Sequence, residues 1–315
     1  MSLCRNVLGA MLLGLSLGWV FRPQSIDAIM GVALFLMLFP QMLEVDFAGL
    51  QRVFRAPWLV VIALVLNFLV SPLLIFVLLQ LFMGNSGLHL MPGILLYGAV
   101  PGGGMAPAFT GMLRGNVSLS VTISAIGSIL SLGMVPLWAK WLLGTTMDVP
   151  TALMCKHLCV ILAIPLMVAV LTRRIVVGRM GESRFCLVKE RIKSLSGVGL
   201  CVAVAAMSAL YGNRVFNEPL VVPRIAGTVS TFLILLMIIS WLFGKAFRCG
   251  HEDSTALILS TAAKNNAIAL ALAYTTFGPD AALANAIAGP LVQLPILSCF
   301  VAFRRRSFLL KSEFT

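Results

Sequence analysis

The sequence predicts an all-α membrane protein of ten transmembrane helices, arranged as two inverted five-helix repeats. Three observations predict it. Of 315 residues, 60% are hydrophobic and 11% charged, with a mean hydropathy of +1.02; soluble domains carry about 25% charged residues. Apolar runs near the roughly 20 residues that cross a bilayer recur along the whole chain. The basic residues fall between those runs rather than along one face.

The runs place spans at about 3–21, 26–43, 58–82, 90–112, 117–143, 151–171, 194–211, 220–243, 255–277 and 281–303. The first, MSLCRNVLGAMLLGLSLGWVF, has no small-residue cleavage site before Arg22, so it reads as a span rather than a removed signal. The stretch RRIVVGRMGESRFCLVKERIK, residues 173–193, reads as a basic cytoplasmic linker facing anionic headgroups. The expected organisation is therefore 1–172 for the first repeat and 173–193 for the linker. Residues 194–315 then hold the remaining helices of a second repeat that begins at about 151.

Charge sets the orientation. With both termini in the cytoplasm, seventeen of the 23 basic residues lie in inner segments and four in outer ones. The expected location is a bacterial inner (plasma) membrane. The net charge of +12 is then topology, because no stretch combines basic and aromatic residues as a nucleic-acid groove does. Of the basic residues left over, Lys156 is near a span end and can snorkel. Lys264 is too deep for that.

Each half carries one interrupted span in its fourth position. In the first half it is LLYGAVPGGGMAPAFTGML, residues 95–113; in the second it is LILSTAAKNNAIALALA, residues 257–273. Pro101 and Pro107 remove backbone donors, and Gly102, Gly103 and Gly104 weaken the helix. Freed carbonyls cannot face lipid and must meet protein, water or a solute. Five spans is an odd number, so the halves are inverted. Paired interruptions in inverted halves point to a transporter binding site. Kinked helices filled by neighbouring side chains are the plain alternative.

The remaining polar groups give weaker signals. The seven cysteines form no C-x-x-C pair; Cys155 and Cys159 flank His157 on one helix, where buried thiols ordinarily act as small hydrophobes. His89, His157 and His251 lie near span ends or in loops. The methionines fit packing, with no repeated M-x-x-M array. No Ser-Lys dyad, paired Asp or H-E-x-x-H motif lies inside a span, so an enzyme is not expected. No cofactor and no resident metal are expected.

Three stretches carry a resemblance. RGNVSLSV after the proline-glycine break, DFAGLQRVFRAPWLVVIALVLNFLVSPLL at spans two and three, and KNNAIALALA in span nine resemble the bile acid:sodium symporter family, with matching spacing over nearly the whole chain. GPLVQLPIL, residues 289–297, is more similar to the arsenite exporters of the same superfamily. The resemblance implies a panel domain of spans one, two, six and seven and a core domain of spans three to five and eight to ten. It also implies that helices four and nine cross at their breaks. Sodium ions would bind behind that crossing and an organic anion before it, with transport by alternating access.

Carried over residue by residue, the first sodium site falls on Ala106 and Pro107 in helix four, Ser120 and Ser124 in helix five, and Ser260 in helix nine. The second falls on Ser260, Lys264 and Asn67, with Thr261 and Ala263 in the same stretch of helix nine. Pro101, Gly102, Gly103, Gly104, Asn265 and Asn266 would form the crossover and substrate surface. The departures are large. Ala106 and Pro107 offer no side-chain oxygen, and Ser260 stands where the family has a glutamate. All eleven acidic residues fall in predicted loops or at span ends. Both sodium sites look degraded.

Lys264 brings a charge of its own. Two cations 4 Å apart repel by about 4 kcal/mol at an effective dielectric of 20, so lysine and sodium should not share the site. A charged lysine at a helix centre costs roughly 2.5–3.5 kcal/mol and needs acceptors. Asn67, Ser120, Ser124, Ser260 and the freed carbonyls of helix four are the candidates. The expectation is a built-in cation that replaces sodium, making transport facilitated or proton-linked. In a variant, Lys264 pairs directly with a substrate carboxylate. A lysine snorkelling into a vestibule with no coupling role is the bland alternative. Asn265 and Asn266 are as well suited to capping a helix start as to touching substrate.

The expected function is secondary transport of small organic anions, with the lipid bilayer and the solute as partners. An arsenite or antimonite exporter is the runner-up; it would need a cysteine beside the helix-four break, and no cysteine lies between Cys4 and Cys155. A non-transporting membrane sensor is the third reading.

Overall fold

The computed structural model describes residues 2–21, 27–43, 57–83, 89–217 and 220–312. Every regular element among them is helical. The first helices are α1 (Ser2–Phe21), α2 (Asp27–Leu43) and α3 (Pro57–Val65). A π-helical turn, Leu66–Val70, leads into α4 (Ser71–Phe82). Then come α5 (Met91–Ala99), α6 (Met105–Met112), α7 (Val117–Leu143) and α8 (Thr151–Asn217). They are followed by α9 (Val221–Ala246), α10 (His251–Ala262) and α11 (Asn266–Phe277). The chain closes with α12 (Pro279–Ala286), a second π segment, Ile287–Gln293, and α13 (Leu294–Ser312). The expected acids Glu44, Asp46, Glu218 and Glu313, and the basic residues Arg22, Arg52 and Arg55, lie outside the described residues.

Among the described residues, five helical stretches are long and apolar enough to cross a membrane: Trp58–Phe82, Val117–Leu143, Thr151–Leu210, Val221–Ala246 and Pro279–Arg305. Their surfaces agree with lipid contact. Leu81, Trp141 and Met167 are exposed on α4, α7 and α8, while Asn67, Ser120 and Ser260 are wholly buried. Apolar outside and polar inside is the arrangement lipid favours, since hydrocarbon solvates no polar group.

Residues 173–193 were expected as a loop between spans and instead are helical. Helix α8 runs through them with one non-helical residue, Gly181, at φ 80 and ψ 167. The segment holds no proline, and its Arg, Lys, Glu and Leu are good helix formers. Only the glycine turns the chain, in a region closed to other residues. Arg173 closes the corner, 3.6 Å from Glu182 and over the Phe185 ring.

Proline explains both π turns. Ser71 N–H reaches back five residues to Leu66 O, and the next residue, Pro72, has no N–H for Phe68 O. In the second, Leu294 N–H reaches Gly289 O around Pro290. Each π turn projects an amide inward, Asn67 from the first and Gln293 from the second; both are buried. Helices α1 and α2 pack chiefly along α8, whereas α6 packs on α10 and α7, and α5 on α4, α11 and α12.

Candidate functional site

The two interruptions meet. Val100 is extended (φ −72, ψ 147), the conformation favoured before a proline, and α5 ends there. The break between α10 and α11 contains neither proline nor glycine. It consists of two inverse γ-turns, with Lys264 N–H on Ala262 O and Asn266 N–H on Lys264 O, both 2.9 Å. The central residues Ala263 (φ −80, ψ 73) and Asn265 (φ −78, ψ 82) have the dihedrals of that turn.

Across the crossing the backbones pair antiparallel at Gly102 and Lys264. Gly103 N–H donates to Ala263 O and Asn265 N–H to Pro101 O, each 2.9 Å. Groups freed by the breaks thereby satisfy one another, as a water-free interior requires. The approach needs glycine: a Cβ at Gly102 would run into the Ser260 carbonyl, and one at Gly103 would lie 2.8 Å from Asn265 Cα.

Lys264 is 2% exposed. Its Nζ donates to Asn67 Oδ1 at 3.1 Å. Asn67 in turn donates through Nδ2 to Ala63 O (2.9 Å) and Ser260 O (3.3 Å), which fixes its oxygen toward the lysine. Ser260 Oγ donates to Ser120 Oγ at 2.8 Å. The chain Lys264–Asn67–Ser260–Ser120 joins three segments of the fold at the crossing. No Asp or Glu is among the buried polar residues described.

The other candidate residues divide. Ser124 Oγ is buried with no hydrogen-bond partner and faces a small cavity beside Pro107. Thr261 Oγ1 turns back to Leu257 O, away from Lys264. Ala263 contributes its carbonyl, and Ala106 is buried with its N–H on Gly103 O. Gly104 is the residue before α6. Asn265 caps α11, its Oδ1 accepting from Ile268 N–H at 3.3 Å. Asn266 packs against Gly289, and both of its amide atoms are buried without a partner.

A sodium ion does not fit this donor set. Ala106 and Pro107 supply no side-chain oxygen, no carboxylate is present, and the Lys264 ammonium already takes the Asn67 oxygen.

A cavity of about 240 Å³ opens on the crossing. Met37 and Gln41 of α2 and Ser196 and Leu200 of α8 form one wall; Gly104 and Asn266 mark the starts of α6 and α11 on the other. Both half-helices therefore present their amino ends, the positive pole of the helix dipole, to the cavity. Gln293 lines it too. Its Nε2 donates to Lys264 O at 3.2 Å and its Oε1 accepts from Tyr97 OH at 2.5 Å. Gln293, Tyr97 and Gln41 are site residues that the sequence reading did not select. The available signal was a lone amide in each apolar run, MLFPQML and GPLVQLPIL.

The Sodium Bile acid symporter family model matches residues 31–218. The chain belongs to this family. Its relatives span several transport roles. An uncharacterized transporter of Synechocystis is 22% identical, covering 90% of this chain and 79% of the relative. The arsenical-resistance protein Acr3 of Alkaliphilus metalliredigens is 24% identical, covering 92% and 84%. The hepatic sodium/bile acid cotransporter of Rattus norvegicus is 24% identical, covering 88% and 75%. As a member of the Sodium Bile acid symporter family, the protein is a membrane transporter and not an enzyme.

Proposed function

We propose that the protein is a sodium-independent secondary transporter of small organic anions, with Lys264 standing in for the bound sodium ions of its family. The supporting observation is the Lys264–Asn67 hydrogen bond at 3.1 Å, buried at the crossing with no carboxylate beside it. The lysine belongs to the chain, so when protonated it braces the crossing without an ion entering.

In this reading the ten spans form two inverted repeats with both termini cytoplasmic. Helices α1, α2 and α8 form the panel, and the other helices the core. The solute occupies the cavity between them. Two half-helix amino ends, the Asn266 amide and the nearby lysine charge all favour an anion there. Rocking of panel against core then exposes the cavity to one side at a time. Because the lysine stays with the protein, transport is facilitated or proton-linked.

The test is uptake of labelled organic anions into proteoliposomes with sodium or choline outside. Equal rates are expected; a steep dependence on sodium overturns the built-in cation. A second reading, arsenite export, is favoured by the similarity to Acr3. No cysteine lies near the helix-four break to hold a metalloid. Growth of a metalloid-sensitive host expressing the chain separates the two.

A further inference from the structure

A second cavity, of about 40 Å³, lies against the crossing beside α7. Ser124, Ser128 and Pro107 line it and do not line the larger one. The two cavities share four residues: Gly103, Gly104, Asn265 and Gln41. The first three belong to the crossing. Gln41 alone comes from α2, and it completes the partition between the two spaces.

Gln41 is held from its own helix, Nε2 donating to Met37 O at 3.1 Å. That leaves Oε1 buried with no partner, and Ser124 Oγ is in the same condition. Two orphaned oxygens on one small cavity describe a water site: a single water needs roughly 10–15 Å³ and two or more polar partners. Gln41 also packs on the crossing, its Cγ 3.1 Å from where a Cβ of Gly104 would stand. Helix α2, which carries Gln41, packs mainly on α8, whereas Gly104 belongs to the crossing.

We infer that Gln41 is the gate between the solute cavity and a water-holding compartment behind the crossing. Its side chain fills the gap beside Gly104 and reaches Ser124 through water, a link that breaks and reforms without loss of any direct bond. When α2 shifts relative to the crossing, Gln41 withdraws and the two spaces join. This rests on the alternating-access reading above. The test needs no substrate, so its failure leaves the transport reading standing.

The test is the rate at which a small methanethiosulfonate reagent labels Ser124→Cys in the full-length protein in nanodiscs. Mass spectrometry of the peptide carrying residue 124 keeps the native cysteines out of the measurement. Slow labelling is expected while Gln41 is present, and Gln41→Ala should raise the rate by about tenfold, as opening of a buried site does. Gln41→Ser, which also shortens the side chain, should raise it as well. Leu81→Ala, on the exposed face of α4, should not. Fast labelling with Gln41 intact, or an unchanged rate in Gln41→Ala, overturns the gate. If Gln41→Ala does not fold, an unchanged rate in Gln41→Ser overturns it.

Discussion

Lys264 Nζ lies 3.1 Å from Asn67 Oδ1, and the same asparagine donates to Ser260 O, one turn earlier on the lysine's own span. One amide thus holds the side chain and the backbone of helix nine together. It can do so because the π turn at Leu66–Val70 places it at the break.

Removing that oxygen leaves a buried ammonium without its acceptor. Asn67→Ala should cost about 1.5–3 kcal/mol, the range for a hydrogen bond to a charged group. The thermal melting of the purified protein measures it. A change within error of zero would mean the lysine has another acceptor.

Placing a carboxylate at the crossing in place of the lysine should create ion dependence. In the double variant Ser260→Glu, Lys264→Gln a carboxylate is introduced and the competing cation leaves. Sodium should then raise the melting temperature, by about 2.7 kcal/mol of stabilisation at a hundredfold excess over Kd. The unmodified protein should show no such sodium-specific shift.

Gly102→Ala and Gly227→Ala should differ in sign. At Gly102 the new methyl meets the Ser260 carbonyl and forces the two bridging bonds apart. Loss of about 2 kcal/mol or more is expected, two hydrogen bonds at about 1 kcal/mol each plus the displaced packing. At Gly227, in α9, no atom lies within 4 Å of an added Cβ, so helix propensity adds about 0.4–1 kcal/mol. Paired melting curves check both.

Tyr97→Phe removes the hydroxyl that orients Gln293, and the Gln293 oxygen is left buried and unpaired. A loss of about 1–3 kcal/mol is expected. Uptake should fall further in Gln293→Leu, because the Lys264 carbonyl then loses its side-chain donor as well. Equal uptake in both variants and the unmodified chain would make this arm of the crossing structural only.

Helix positions were legible in the chain because they follow from run length alone. The expected 58–82 and 117–143 runs lie within α3 to α4 and α7 to within a residue. The helix-four break was legible for a local reason too: Pro101 favours an extended Val100, and three glycines after it weaken any helix. That residues 173–193 are helical was not legible, because a basic composition says nothing for or against helix, and Gly181 by itself marks the turn.

The break in helix nine is a different matter. AAKNNA contains no residue that forbids a helix. It opens because Pro101 O and Gly103 N–H, some 160 positions away in sequence, capture the backbone at Asn265 and Ala263. The partners of Lys264 are equally remote, and a polar residue in an apolar run announces that it has a partner without saying which. Local sterics and hydropathy travel with the chain. Hydrogen-bond pairing between distant segments exists only once they have packed, and that is where Asn67, Gln293 and Gln41 acquired their places.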